Sequence, residues 1–451
     1  MRLWAPVAAL TMVAAAAEAA ERPSISGKVT DAEGKPLEHA TVMVYYAGVK
    51  QGYSTFCPSC YADCGKRTVT DRSGGFTISN LAPDLWFTLL VAEDGYTPVF
   101  VEKIDPTLGK TAAAVLHTRA KVDDPARVVR GLVVDAHGRP VRDAIVEPRG
   151  VGVLRDGKPA GMMFGTIRGL DLLAVSNMQG EFELAYEGQT NQMFFAIEAR
   201  GMAPRSFLKV PTGLERQTFR LSDGATVHGQ LMQDGKPVAG AEVGLISQQR
   251  PNGAGYDEIR LGTQADGSFT FTNVPPGEKY YLYAKMESIK QRGAAHYLEA
   301  QTKDDGQDVD VGEIKLQPGY LLRGHVSLSD GRPVPPGTRV FISPGCAICK
   351  AQDGGFGYFS LKDSQTIIAG PGGEFEFAGL ADGPYQVVAS VKGYMLGEGY
   401  SIIHPDGIDQ DFWKRASDFQ NRQSQQLGIV ETMVKGNVDD LKIVVQPRPG
   451  R

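Results

Sequence analysis

The chain has 451 residues, a formal net charge of −5 and 42% apolar residues. That apolar content excludes an intrinsically disordered chain, so the 54 Gly and 27 Pro read as turns between packed elements. The mild acidity, with basic residues scattered along the chain, lacks the basic patch of a nucleic-acid binder.

Residues 1–20 read as a secretory signal peptide. Arg2 supplies the positive end, Pro6 to Ala17 the apolar stretch, and Ala17-Glu18-Ala19 a small-residue cleavage site. No cysteine follows that site, so there is no lipobox. No later stretch approaches the ~20 apolar residues of a membrane helix. A secreted or periplasmic protein without a membrane span is expected.

One pattern then recurs four times: an alternating strand, a polar Gly turn, Pro, and a second strand. It begins at Ile25-Ser26-Gly27-Lys28-Val29-Thr30-Asp31 with Gly34-Lys35-Pro36-Leu37. The clearest copy runs from Val129-Arg130-Gly131-Leu132-Val133-Val134-Asp135 through Gly138-Arg139-Pro140-Val141 to Ala144-Ile145-Val146. Later copies centre on Gly229 with Asp234-Gly235-Lys236-Pro237 and on Gly324 with Asp330-Gly331-Arg332-Pro333. Successive strand side chains alternate faces, so Val129, Gly131 and Val133 share one face and need a second sheet to cover it. Asp serves the turn backbone and Gly accepts positive φ.

A second signature follows each copy: Asp71-Arg72-Ser73-Gly74-Gly75-Phe76, Asn177-Met178-Gln179-Gly180-Glu181-Phe182, Asp266-Gly267-Ser268-Phe269 and Gly372-Gly373-Glu374-Phe375. Gly95-Tyr96, Gly201-Met202 and Gly393-Tyr394 close a later strand in three copies. On these residues the chain resembles the carboxypeptidase regulatory-like domain family. The resemblance implies a transthyretin-like (prealbumin-like) sandwich, grouped with carbohydrate-binding-like folds. It implies little about activity, because such modules occur beside peptidases, in adhesins and in transport receptors. The fourth copy departs from the pattern, with Pro335-Pro336-Gly337 lengthening its second turn.

The expected fold is therefore all-β: four tandem antiparallel β-sandwich domains, prealbumin-like or Ig-like, at roughly 100 residues each. They are placed at 22–120, at 126–222 with an insertion at 150–172, at 224–317, and at 319–451. Within the insertion, Gly161-Met162-Met163-Phe164-Gly165 is apolar and is expected to pack on a neighbour. In the last domain, Phe412-Trp413, Ala416 and Phe419 fall at helical spacing, so Asp411 to Gln426 is read as a surface helix.

The five cysteines lie in two loops: Cys57, Cys60 and Cys64 in the first domain, Cys346 and Cys349 in the fourth. In an oxidising compartment they read as candidate disulfides, with one thiol left over, most simply Cys60 or Cys64. A C-x2-C pair can also present two thiolates to a metal, whereas redox exchange normally needs a helix N-terminus that strand-and-loop flanks do not supply. The seven histidines show no HExxH pairing, and no GxSxG elbow or Walker loop is present. No catalytic residue, metal ligand set or cofactor is assigned. The acidic run Asp304 to Asp310 lacks EF-hand spacing and reads as a solvated turn.

Aromatics gather at the same two loops. Tyr45, Tyr46, Tyr53, Phe56 and Tyr61 surround the first, and Phe356, Tyr358 and Phe359 follow the second. Flat aromatic faces suit sugar rings, and exposed Tyr and Phe suit partner proteins. The candidate ligand-binding residues are Tyr53, Phe56, Tyr61, Phe356 and Tyr358. The sequence thus points to a non-catalytic binding or scaffold protein for a glycan or a cell-envelope protein. An accessory subunit of a secreted peptidase or polysaccharide enzyme, and a metal or redox protein using the cysteine loops, are the alternatives. Ligand and oligomeric state stay open.

Overall fold

The structure is a computed structural model and describes residues 22–51, 63–109, 111–247, 259–344, 363–396 and 429–448. The described residues form eight sheets in four face-to-face pairs. The first pair sets the plan. One sheet orders its strands Gly75–Ile78, Ile25–Asp31, Ala112–Thr118 and Tyr96–Thr97. Its partner orders Arg67–Val69, Thr41–Val49, Leu85–Ala92 and Val99–Ile104. The other three pairs keep the same central order, opening strands being Val128–Val134, Ala225–Gln233 and Tyr320–Leu328. Pairing is antiparallel with one recurring exception. Each opening strand runs parallel to the closing strand of its own unit, as Gly27 beside Ala112 and Gly324 beside Leu441 show.

Each pair of sheets encloses its own core. Val29, Val42, Phe87 and Leu116 lie at the centre of the first, and Val133, Val146, Phe195 and Ile197 at that of the second. Val227, Val243 and Leu282 fill the third, and Val326, Val340 and Val387 the fourth.

The two repeated sequence signatures are the two halves of one contact. Gly27 pairs directly across the ladder with Phe76, Gly131 with Phe182, Gly229 with Phe269 and Gly324 with Phe375. The aromatic ring lies over the glycine. A Cβ at Gly131 would stand 2.2 Å from the Phe182 ring, and one at Gly324 would stand 2.3 Å from that of Phe375. Glycine is required here for the close approach of a ring, not for a special φ.

The Asp and Asn residues of the motifs tie the turns. Asp135 Oδ1 accepts from the backbone N–H of His137 and Arg139, and Asn177 Oδ1 from those of Gln179 and Glu181. A third recurring device escapes simple pattern reading. The buried Ser176 hydroxyl accepts from the Ala144 N–H and donates to the Val141 carbonyl. Thr70 and Thr263 do the same in the first and third units. Ala369 stands there in the fourth unit, with its N–H on the Thr338 carbonyl, while the Thr338 hydroxyl donates to Pro335 in the lengthened turn.

The insertion at 150–172 is a hairpin. Strand Ile145–Arg155 overruns its unit and turns back as Lys158–Phe164. Met162 and Met163 are exposed on it, so they do not pack on a neighbour as expected. Phe164 instead meets Phe194 of the same unit, edge to face at 5.0 Å. The helix read over Asp411 to Gln426 lies outside the described residues.

Contacts also join successive units. The outer face of the first unit's second sheet presents Met43 and Leu90, both buried, against Leu173, with Tyr45, Phe100, Ile145 and Val175 around them. Arg67 pairs with Asp143 across the same seam. Burial, and behind it Glu147 and Glu198 of the second unit, push the Tyr45 phenol up to about 12. Further along, the short helix Met286–Ile289 is shared. Ile289 belongs to the third core and Met286 to the fourth, and the Met286 N–H donates to buried Asp363 at 2.9 Å.

Candidate binding surfaces

Tyr53, Phe56, Tyr61, Cys57 and Cys60, and Phe356, Tyr358, Cys346 and Cys349, lie outside the described residues, as does His404. Cys64 is described and is buried in the first core. The residue before it anchors the far end of the first loop. Asp63, 2% exposed, accepts from Arg22 Nη2 at 3.0 Å, from the Ala82 N–H at 2.8 Å and pairs with Lys66 Nζ at 2.6 Å.

At the near end of that loop the first unit carries an aromatic platform. The ladder between Thr41–Val49 and Leu85–Ala92 slips between Val44 and Tyr46, and Tyr45 is the extra residue. Such a bulge turns two successive side chains to one face. Tyr45 meets Phe100 at 4.9 Å under the second unit, while Tyr46 stays 43% exposed. Tyr46 lies over Gly48, where an added Cβ would come within 3.1 Å of the ring. Gly48 pairs with Trp86, which is 37% exposed on the same face. Lys50 Nζ sits 5.5 Å from the Trp86 ring centroid. It is held there by Asp105 Oδ1 at 2.7 Å and by the Pro83 carbonyl at 2.7 Å. Asp105 also caps the short turn Pro106–Leu108 by accepting from Thr107. The Lys50 hydrogen bond, then those from Thr107, bring the Asp105 carboxyl down to about 2. The result is two partly exposed aromatic rings, that of Trp86 under the Lys50 ammonium, beside a fixed carboxylate, a surface that can stack on a ring and hydrogen-bond its edge.

A second concavity, of about 880 Å³, lies between the first and second units. One wall is the outer face of the sheet containing Val128–Val134. Its charges pair with one another, Arg130 Nε with Glu183 at 2.8 Å and Arg216 Nη1 with Glu181 at 2.7 Å, and beside it Arg119 Nη2, just past the first unit's closing strand, pairs with Asp171 at 2.6 Å. Burial raises the Asp171 carboxyl despite Arg119. On the other side stand Val69, Glu93 and Tyr96 of the first unit. Burial, then Asp94, raises Glu93.

The described histidines are dispersed. His228 Nε2 lies 3.2 Å from Asp308, and His296 Nε2 2.9 Å from Asp382, both at the surface. Among the described residues no group of three His, Cys, Asp or Glu side chains is placed to hold a metal ion, and no helix is long and apolar enough to cross a membrane. Trp86 was not singled out from sequence. Its signal was one large aromatic at an outward position of a strand whose alternate residues Leu85, Phe87 and Leu89 go to the core.

Residues 24–118 match the family of the carboxypeptidase regulatory-like domain. The first unit is thus similar to such a domain, as the sequence resemblance implied for it, and the matched residues lie within the first of the four copies. A search of the curated proteins found no match. Among solved structures the chain is similar to the TIE protein of Bacillus anthracis, with 12% identity and a TM-score of 0.19 over 91% of this chain and 69% of that one. It is similar to the minor pilin of Streptococcus agalactiae at 13% identity and a TM-score of 0.23, covering 51% of this chain and 98% of that one. It is similar to BcpA, the major pilin subunit of Bacillus cereus, at 8% identity and a TM-score of 0.17, covering 95% and 100%. Scores this low transfer nothing from those proteins to this chain.

Proposed function

We propose that the chain is a non-catalytic, secreted or periplasmic binding protein of four sandwich domains in series, bounded as the sequence pattern places them. Its ligand is a carbohydrate, taken on the platform of Tyr46 and Trp86 and on the adjoining loop with Tyr53, Phe56 and Tyr61. The observation that carries this reading is the pair of exposed aromatics on a sheet face whose other half is covered. Large apolar side chains exposed together on one face mark an interaction site more often than singly scattered ones. The signal-like N-terminus supports placement outside the cytoplasm. Phe356 and Tyr358 are proposed as a second, weaker surface on the fourth domain.

The test is a glycan array followed by titration of the best hit. Trp86→Ala and Tyr46→Ala are each expected to weaken binding about tenfold, the loss of roughly one stacked ring, with an unchanged circular dichroism spectrum. An array with no hit, or a hit indifferent to both substitutions, refutes the reading.

A further inference from the structure

The cavity between the first two units is bordered by strand edges, and the hydrogen-bond parity of those edges shows which backbone groups face it. In Arg67–Val69, the neighbours Lys66 and Thr70 bond to the adjoining strand: the Val44 N–H donates to the Lys66 carbonyl and the Thr70 N–H to the Ala40 carbonyl. Residues of that parity point inward, so Arg67 and Val69 turn their N–H and C=O outward. The second unit repeats the arrangement. The Ser176 N–H donates to Ala144 and the Ser176 carbonyl accepts from Asp143, which leaves Val175 outward. On Glu181–Ala185, Ala185 exchanges both its backbone bonds with Asp171, away from the sheet. Glu183, two residues earlier, has the same outward parity. Val69, Val175 and Glu183 all line the cavity, and Val69 is 48% exposed.

An open strand edge is a template for another strand. We propose that this cavity receives an extended peptide segment of a partner protein, uncharged on the face turned to the sheet wall, which adds as a strand to the edge at Val69 that no described strand covers. The lack of charge follows from the walls. On the sheet wall the arginines pair with the carboxylates, so a charged side chain turned to that wall would have to break Arg216–Glu181 or Arg130–Glu183, while Glu93 and Asp94 on the opposite side disfavour an acidic one. An alternating segment meets Val69 and Tyr96 with one face and the paired-charge wall with the other. The site is separate from the aromatic platform and does not depend on it.

The probe is a random peptide library displayed on phage and selected against the full chain. The best peptide is then synthesised with N-methyl groups on alternate amides. Methylation of one parity is expected to weaken binding at least about tenfold, and the other parity is expected to leave it unchanged. Val69→Pro removes the outward N–H at an edge position where proline is tolerated. It is expected to weaken binding about tenfold at an unchanged melting temperature, while Trp86→Ala keeps it. Should Val69→Pro also lower the melting temperature, the methylated peptides on the native chain decide. No enriched peptide, equal sensitivity of both parities, or binding indifferent to a folded Val69→Pro each overturns the proposal. Loss of glycan binding with intact peptide binding, or the converse, tells which of the two proposals has failed.

Discussion

Gly131→Ala places the claim that the repeat is a glycine–aromatic contact at risk. The new Cβ would stand 2.2 Å and 2.4 Å from two atoms of the Phe182 ring and 2.7 Å from Phe219. Carbon atoms prefer about 3.5–4 Å, so a ring must give way by more than about 1 Å. Neither ring has room. Phe182 is packed edge-on to Phe195 at 5.9 Å and against Phe219 at 5.5 Å, and Phe219 is closed in by Phe207 at 4.9 Å. The cost is expected at the upper end of overpacking, about 3 kcal/mol. Phe182→Leu alone is expected to cost about 1–2 kcal/mol through lost ring burial. In the double variant the leucine vacates the space that the methyl needs, so the total should be about 2 kcal/mol rather than the sum, a coupling of about 2–3 kcal/mol. A chain of several units does not unfold in one step. The assay is therefore native-state hydrogen exchange of the segment containing Val128–Val134, which reports the local opening free energy of the second unit. Additivity of the two substitutions within about 0.5 kcal/mol refutes the reasoning.

Two further outcomes follow from the first unit. Leu90→Ala removes a fully buried side chain from the seam with the second unit and is expected to cost about 2–4 kcal/mol. The seam should open before either core, seen as faster proteolysis between residues 119 and 126 at an unchanged circular dichroism spectrum; equal cleavage rates would show that Leu90 does not hold the units together. Asp105 titrates at about 2 in the folded chain, below the usual range of an unfolded aspartate. Its contribution is complete above the unfolded value and is lost as pH falls through the folded one. The melting temperature of the first unit should therefore fall between about pH 4 and pH 2, and Asp105→Asn should flatten that dependence. An identical acid profile in the variant excludes the Lys50–Asp105 tie as a source of stability.

The strands and turns were legible because each rests on local rules. Alternation fixes the buried face, Asn177 and Asp135 tie turns that need them, and Gly180 at φ 76° fills a left-handed position. That Gly131 and Phe182 touch was not legible, since it depends on register between strands about fifty residues apart. The platform was half legible. Tyr45 and Tyr46 were both among the aromatics gathered at the first loop but not among the candidate ligand-binding residues, and sequence could not choose between them, because a bulge turns both outward and the second unit then covers only one. The open edge at Val69 left no trace, since backbone parity depends on which strand lies beside it. Met286 was invisible for a related reason, a helix of one turn lending its side chain to the next unit's core.

The seam itself did have a signal. Strand Thr41–Val49 carries Val42 and Val44 inward and Met43 and Tyr45 outward, and Leu85–Ala92 carries Leu90 between Leu89 and Val91. A strand apolar on both faces is a strand covered on both faces. That cover ends where the bulge begins, since among the described residues Tyr46, Gly48 and Trp86 continue the same face without the second unit above them. The slip at Tyr45 thus divides one sheet surface between two tasks, fixing the second unit at one end and leaving an aromatic platform at the other. Arg67 and Val69 stand on the edge of that same sheet, Arg67 joined to Asp143 and Val69 open to the cavity. The contact that holds the two units together therefore also sets the distance across the cavity. Loosening the seam at Leu90 should weaken peptide capture in the cavity while leaving ring stacking at Trp86 intact, because only the first of these needs both units.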